Sequence, residues 1–159
     1  MIPEIRRTRW TLYASALVAL LLSAVPLPRA LDVLRPDFLL LLVVWFAVML
    51  PRDGGLLFAW VAGLALDAFR GVVLGENALA FVVVAYLAHR FYLRIRMFPL
   101  LQQSLVVLSL LFTYQFLLFW VDGVTGHPLT DWARWLPVLT GALLWPLLTG
   151  LLGRLTSRT

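Results

Sequence analysis

Apolar residues fill this chain in six long runs, and short polar or proline-containing segments separate the runs. A helix of about 20 apolar residues crosses the roughly 30 Å hydrocarbon core of a bilayer. The pattern therefore predicts an all-α membrane protein with six transmembrane helices, in a single domain over residues 1–159. The predicted spans lie at about 10–25, 36–50, 56–73, 77–93, 100–121 and 132–152.

Two of the runs need separate interpretation. The first follows a basic N-terminus, as the apolar part of a signal peptide would, but the segment from Pro26 to Pro28 would make a poor cleavage site. We therefore predict a retained span. The second run is strictly apolar only from Phe38 to Leu50, which is short for a span. It gains length if its helix starts near Pro36; otherwise the bilayer thins or the segment re-enters.

Composition agrees with a membrane protein and gives little support for catalysis. The chain is 62% hydrophobic with a mean hydropathy of +0.93, and 13% of its residues are charged, compared with about 25% in soluble domains. It has no cysteine, and its two histidines, His89 and His127, form no metal-ligand pattern. The sequence shows no Ser/His/Asp set, no paired carboxylates with a base and no glycine-rich phosphate loop. We predict no enzymatic activity, no cofactor and no metal.

The net charge of +5 arises from 13 basic residues, all arginine, which sit at the ends of the apolar runs. That distribution orients a membrane protein, whereas a nucleic-acid surface would cluster its basic residues on one face. Sorted onto alternate connections, the arginines favour one side, which is expected to be cytoplasmic. This predicts a multi-pass membrane protein with both termini in the cytoplasm. The richer group is Arg6, Arg7, Arg9, Arg52, Arg90, Arg94, Arg96, Arg154 and Arg158, and the poorer group is Arg29, Arg35, Arg70 and Arg134.

The third run ends in an unusual row of residues. On a helix, Gly63, Asp67 and Gly71 lie on one stripe, which Gly75 extends if the helix continues. Glycines in such a row let another helix approach closely, so Gly63, Gly71 and Gly75 are candidate helix-packing residues. The carboxylate must face protein or water, because a charge in hydrocarbon costs about 2.5 kcal/mol or more.

The polar residues around this row permit two interpretations. Asp67, Arg70, Glu76, Asn77 and Gln103 are candidates for an outward pocket or a partner-binding site. Alternatively, Asp67 and Arg70 form an i, i+3 ion pair near a helix end. In that plainer view Glu76 and Asn77 begin the next helix, and Gln103 bonds across helices as a packing contact.

Two charged segments flank other spans. Arg35-Pro36-Asp37 is interpreted as an interfacial turn that enters the second span. Arg90, Arg94 and Arg96 form a cytoplasmic basic cluster, which orients the chain and contacts anionic lipids. The alternative for this cluster is docking of an acidic cytoplasmic partner.

Four segments resemble the MreD family of bacterial rod shape-determining membrane proteins. The likeness covers nearly the whole chain, its most specific part is the spacing from Gly63 to Tyr86, and none of its motifs is catalytic. The segments are RPDFLLLLVVWF from Arg35, LPRDGG from Leu50, GLALDAFRGVVLGENALAFVVVAYL from Gly63 and RIRMFPLLQQ from Arg94. The residues that match the family pattern are Arg35, Pro36, Pro51, Gly63, Asp67, Gly71, Gly75, Ala78, Leu79, Tyr86 and Gln103.

The resemblance implies a scaffold protein. MreD-like proteins work with MreC, and together they connect MreB filaments to peptidoglycan synthesis by a SEDS glycosyltransferase and a class B penicillin-binding protein. We expect the row of Gly63 and Gly71 to receive the membrane helix of MreC. The resemblance also implies the fold of the substrate-binding subunits of energy-coupling-factor transporters, with an outward pocket near Asp67. The alternative function is therefore a transporter subunit that binds a small molecule or a lipid-linked precursor.

Overall fold

Every regular element of the described structure is a helix, which confirms the all-α prediction. The computed structural model describes the backbone of residues 2–53, 55–128 and 131–157, and the side chains of residues 9–53, 55–128 and 131–156. The side chains of Arg6, Arg7 and Arg158, three arginines of the predicted cytoplasmic side, lie outside these residues. The helices are α1 (Ile2–Ala24), α2 (Arg29–Asp32), α3 (Phe38–Met49), α4 (Leu56–Arg70), α5 (Glu76–Arg90), α6 (Tyr92–Met97), α7 (Leu100–Thr125) and α8 (Leu136–Ser157), with a 3-10 turn at Trp132–Trp135 before α8.

Helix α3 is the centre of the molecule. All residues from Leu39 to Val48 are buried, and α3 packs against α1, α4, α5, α6 and α8. A helix that is apolar on every side is stable where it is buried on every side. At about 18 Å it is too short to cross the hydrocarbon core unaided. Because neighbouring helices surround it, its short length is not a mismatch with lipid.

Helices α4 and α5 form a tight hairpin. Their buried faces are rich in small residues, including Ala59, Ala62 and Gly63 on α4 and Ala78 and Ala85 on α5. Small residues let helix backbones come close, which increases van der Waals contact in an apolar medium. The hairpin then packs on α3 and α7 through α5, and α7 packs on α8.

The helices differ in their fitness to cross a membrane. Among the described residues, the segments Leu100–Thr125 and Trp132–Thr156 are long and apolar enough to span by length and composition. Arg9–Ala24 and Phe38–Met49 are apolar but shorter. Each predicted span coincides with one of the helices, so the sequence located the helical segments even where their length falls below that of an ordinary span.

Ion pairs link the connections at each end of the bundle. At one end, Arg70 of α4 lies 3.4 Å from Asp37, which precedes α3. At the other, Arg9 of α1 lies 3.7 Å from Asp53, which follows α3. We call these the Asp37 end and the Asp53 end. The first contact places the end of α4 beside the start of α3. The second places the N-terminal part of α1 beside the end of α3.

Candidate functional site

The carboxylate of Asp67 closes the α4–α5 hairpin at the Asp37 end. Its Oδ2 accepts from the backbone N–H of Gly75 at 2.9 Å and of Ala78 at 3.3 Å. Its Oδ1 accepts from the backbone N–H of Asn77 at 3.0 Å and from the Asn77 side-chain amide at 2.8 Å. The first N–H groups of a helix lack intrahelical partners and carry partial positive charge. Asp67 therefore caps α5 from the neighbouring helix, where the residue at the helix start, Gly75, has no side chain to do so.

A second layer joins this cap to α3 and α7. The Tyr114 hydroxyl lies 2.5 Å from Asn77 Oδ1 and 3.0 Å from Asp37 Oδ2, and its single proton can go to one of them at a time. Arg70 Nη2 donates to the same Asp37 oxygen at 3.4 Å. Arg70 is thus paired with Asp37. The alternative i, i+3 pair with Asp67 is wrong, because the Asp67 oxygens are occupied by α5.

The three glycines of the predicted row have different surroundings. A Cβ on Gly63 would lie 2.4 Å from Cα of Ala78, so its closest neighbour is the backbone of α5 in the same chain. Helix α4 ends at Arg70, and Gly71 follows it with a φ of 66°. Gly75 has a φ of 103° at the start of α5. The row therefore does not reach Gly75. The two later glycines supply left-handed turn conformations, and no atom of the described residues lies within 4 Å of a Cβ added to either.

A polar pocket of about 410 Å³ opens beside this network. Of the candidates for an outward pocket, Arg70 lines it, whereas Asp67, Glu76, Asn77 and Gln103 do not. Its walls come from α2, from the ends of α1, α3, α4 and α8, from the 3-10 turn and from the middle of α7. The lining residues are Ser23, Asp32, Arg35, Pro36, Asp37, Leu40, Arg70, Leu111, Tyr114, Gln115, Leu118, Arg134, Pro137 and Val138.

Two further arginines of the pocket, Arg35 and Arg134, bind groups at or near the ends of helices. The Arg35 guanidinium donates to the carbonyls of Ser23 at 3.2 Å and Val25 at 2.8 Å, and also to that of Leu22. These are unpaired carbonyls at the end of α1, where a cation is favourable. Arg134, in the 3-10 turn, lies 2.5 Å from Asp122 of α7. Arg35-Pro36-Asp37, interpreted from sequence as an entry turn, therefore also supplies a helix cap and one half of an ion pair.

Glu76 is half-buried at the start of α5, just ahead of the fourth predicted span. Burial is the largest cause that raises the pKa of its carboxyl, and the negative charges of Asp122 and Asp67 raise it further. His127 and Arg134 act in the opposite direction. The electrostatic surroundings of Glu76 thus disfavour its charged form.

Gln103 lies apart from the Asp67 group. It is buried near the start of α7, where its Nε2 donates to the carbonyl of Phe98 at 3.0 Å. Its Oε1 accepts from the indole N–H of Trp145 at 3.3 Å. About 16 Å of helix separates it from Tyr114 on α7. Gln103 therefore joins α7 to α8 and to the preceding turn, as the packing interpretation expects.

The basic cluster is exposed at the Asp53 end. Arg90 ends α5, and Arg94 and Arg96 lie on α6. All three side chains are exposed, while Ile95 between them is buried and holds α6 against α3. The cluster thus presents its charges outward from a short helix whose apolar side is anchored.

Sequence reasoning did not assign four of the pocket residues to a site: Arg35, Asp37, Tyr114 and Arg134. Tyr114 is the most informative omission, because it sits midway along the apolar α7 and is 4% exposed. Polar side chains inside apolar spans face the protein interior, so its position already carried a signal. Its partners could not be inferred, since they come from α3 and α5.

The site holds charged and hydroxyl groups that are committed to one another. The carboxylates of Asp67, Asp37 and Asp122 each accept from a neighbouring helix or turn. Two buried atoms of the pocket residues, Arg35 Nε and Asp37 Oδ1, have no hydrogen-bond partner among the described residues. Chemically, these groups stabilise helix ends and pair with one another across helices.

Comparisons with known proteins agree on one family. The family model described as rod shape-determining protein MreD matches residues 4–155 of the chain. A curated relative, the rod shape-determining protein MreD of Haemophilus influenzae (strain Rd), is 27% identical over 137 residues, which are 86% of this chain and 85% of the relative. No solved structure matches the chain significantly.

Proposed function

Because the chain belongs to the MreD family of rod shape-determining proteins, we propose that it is a non-catalytic scaffold subunit of the bacterial cell-elongation complex in the inner membrane. In this proposal it binds MreC directly. At the level of the complex, it helps couple MreB filaments to peptidoglycan synthesis by a SEDS glycosyltransferase and a class B penicillin-binding protein. The observation that carries the proposal is the closed polar network around Asp67 and Tyr114, in which polar side chains hydrogen-bond to one another and hold the ends of neighbouring helices together.

The outward surface supports the same proposal. Large apolar side chains are exposed along the helices, for example Leu57 at 73% on α4 and Leu143 at 77% on α8. Monomeric soluble proteins rarely expose contiguous apolar surface of this kind. Lipid and the membrane helices of partner proteins would cover it.

For the membrane topology we propose six spans with both termini in the cytoplasm, so that the Asp37 end faces outward. The arginine asymmetry and the ion pairs at the two ends of the bundle support this arrangement. The chain has no cysteine, so single-cysteine variants can be probed without a background.

A membrane-impermeant maleimide applied to intact spheroplasts tests this topology. We expect Arg29→Cys and Asp131→Cys to be labelled, and Arg52→Cys and Arg94→Cys to be labelled only after lysis. All four side chains are exposed, so access by itself does not separate them. Labelling of Arg52→Cys in intact spheroplasts would overturn the topology.

The MreC contact is proposed on the exposed apolar faces. The Gly63 face, the first expectation, is filled by Ala78 of the same chain, so a partner helix there would have to displace α5. Exposed apolar side chains lie on separate helices: Val61 on α4, Phe116 on α7 and Leu143 on α8.

Replacing each of these three residues by arginine and co-purifying MreC would locate the contact. We expect one variant to lose MreC, because an unpaired charge at a membrane helix interface is costly, while the other two act as matched controls. Failure of the unchanged protein to retain MreC would overturn direct binding.

A transporter subunit that binds a small molecule is the second candidate function. The pocket of about 410 Å³ at the Asp37 end favours it. Mass spectrometry of the protein, purified gently from membranes, tests this candidate. A retained water-soluble organic molecule that Arg70→Gln releases would support it, and its absence would favour the scaffold.

A further inference from the structure

An apolar groove of about 630 Å³ runs along α1, α3 and α8. Measured along α1, it extends from Leu22 to Thr11, about 16 Å of helix, close to half of the roughly 30 Å hydrocarbon core. Its lining runs from Thr11 to Leu22 on α1, from Phe38 to Phe46 on α3 and from Leu144 to Thr156 on α8.

The groove begins beside the polar pocket. Neighbouring residues of the same helices line both: Leu22 the groove and Ser23 the pocket on α1, and Phe38 the groove and Asp37 the pocket on α3. On α8, Pro137 and Val138 line the pocket, and the groove follows further along the helix from Leu144. One surface therefore passes from charged to apolar at the Asp37 end.

The pocket offers donors to an anion. Its lining carries three arginines and two aspartates. Arg70 uses Nη2 for Asp37, and Arg134 uses Nη2 for Asp122. Arg70 also lies within hydrogen-bonding reach of the Tyr114 hydroxyl. For Nε and Nη1 of Arg134, no hydrogen bond is found among the described residues, although a guanidinium has five N–H donors. Phosphate is a preferred partner of such donors, because it can accept two parallel bonds from one guanidinium.

We propose that this surface binds a phospholipid with an anionic headgroup, with the phosphate on Arg70 and Arg134 and an acyl chain in the groove. The proposal goes beyond the scaffold role and rests on the proposed topology, which places the pocket at headgroup level in the outer leaflet. The charge of the pocket, the length of the groove and the junction between them fit a single lipid of this kind that occupies one leaflet of the bilayer. A partner helix would use the apolar groove but would leave the arginine donors without an acceptor.

Native mass spectrometry of the delipidated full chain in detergent tests the proposal. The probes are phosphatidylglycerol, phosphatidylcholine and glycerol phosphate, each titrated separately. We expect phosphatidylglycerol to bind about tenfold more tightly than phosphatidylcholine, and glycerol phosphate to bind far more weakly than either lipid. Equal binding of the two lipids would overturn the anionic headgroup, and tight binding of glycerol phosphate would overturn the lipid.

Matched variants test each half of the surface. Arg70→Gln should weaken phosphatidylglycerol about tenfold, while Arg29→Gln, an exposed arginine of the same end outside the pocket, should leave it unchanged. Ala14→Trp should fill the groove and weaken both lipids, whereas Leu17→Trp, exposed on α1 but outside the groove, should not. Equal effects within either pair would overturn the assignment.

One double variant guards against misfolding. Arg134→Gln with Asp122→Asn removes both charges of the Arg134–Asp122 ion pair, so neither member is left without the other. We expect it to weaken phosphatidylglycerol about tenfold with an unchanged unfolding transition, and unchanged binding would count against the site. Because these outcomes concern lipid selectivity and the maleimide assay concerns topology, the two experiments distinguish a failure of the lipid site from a failure of the topology.

Discussion

At the scale of the residue, Asp67 shows how a carboxylate can be completely buried in an apolar chain. Its exposure is 0%, and its two oxygens share four N–H donors from the start of α5. Burying a charge is costly unless it is paired or fully hydrogen-bonded. Here one set of hydrogen bonds satisfies both the buried carboxylate and the first N–H groups of α5. It therefore lowers the cost of burying the charge and the cost of leaving those N–H groups unpaired.

Asp67→Asn is predicted to destabilise the protein by about 3 kcal/mol. An amide nitrogen would face backbone N–H groups where an oxygen now accepts, and a buried donor without a partner costs about 1–3 kcal/mol. Asp131→Asn is the matched control, because Asp131 is exposed and accepts one backbone bond, from Ala133 at 3.0 Å. Reversible unfolding in detergent measures both variants. Equal losses would mean that burial of the Asp67 cap does not matter.

Gly63→Ala tests the close approach of α4 and α5. The new methyl group would meet the Ala78 backbone at 2.4 Å, so the helices must separate, which typically costs about 1–3 kcal/mol. Gly150→Ala on α8 has nothing within 4 Å and is expected to be neutral or slightly stabilising. The same unfolding experiment compares the two, and a stable Gly63→Ala protein would contradict this packing.

The role of Gly63 was predictable in part. The spacing of Gly63 and Asp67 placed both on one helix face, and one face of α4 does bury them. The sequence could not say whether the neighbour belongs to the same chain, because a small-residue stripe looks the same in either case. Gly71 and Gly75 share the spacing, but the turn after Arg70 takes them off the helix.

At the scale of the element, the hydrophobic runs showed where the helices lie but not which helix is the most buried. The run that looked weakest, from Phe38 to Leu50, became the central helix. This run has no polar residues because it is buried on all sides. A helix that faces lipid is equally apolar, so composition does not distinguish the two cases. Periodicity therefore could not distinguish a poor span from a core helix, whereas the bounds of the runs followed directly from composition.

Tyr114→Phe is the prediction that concerns contacts between elements. The hydroxyl joins α7 to Asn77 of α5 and Asp37 of α3, so its loss leaves buried acceptors without that donor and should cost about 1–3 kcal/mol. Tyr86→Phe on the exposed side of α5 should change stability by less than about 0.5 kcal/mol. If the two variants unfold alike in detergent, the hydroxyl does not hold these helices together.

At the scale of the whole molecule, the arginines at the two ends of the helix bundle have different surroundings. At the Asp37 end the arginines Arg35, Arg70 and Arg134 cap helices or pair with aspartates. At the Asp53 end, Arg90 and Arg94 are exposed on α5 and α6. Counting arginines predicted which connections belong together, but their different roles depend on contacts between distant segments. In the proposed topology the arginine-rich end orients the chain, and its exposed charges are where we propose that an acidic partner would bind.

Replacing Arg90, Arg94 and Arg96 together separates these two effects of the rich end. In the proposed topology, positive charge keeps this end in the cytoplasm. Glutamine at all three positions removes that charge, and should both reduce rod-shape complementation and weaken orientation in the maleimide assay. Lysine at all three positions keeps the charge, so orientation should be unchanged, but it loses the planar fork that binds carboxylates in pairs.

A lysine variant that inserts correctly yet restores rod shape in fewer cells would therefore identify a docking role for the guanidinium groups. Because the side chains are exposed, the unfolding transition should not move in either variant. Full complementation by the lysine variant would instead leave orientation and lipid contact as the whole role of the cluster, since those effects depend on charge and not on the shape of the group that carries it.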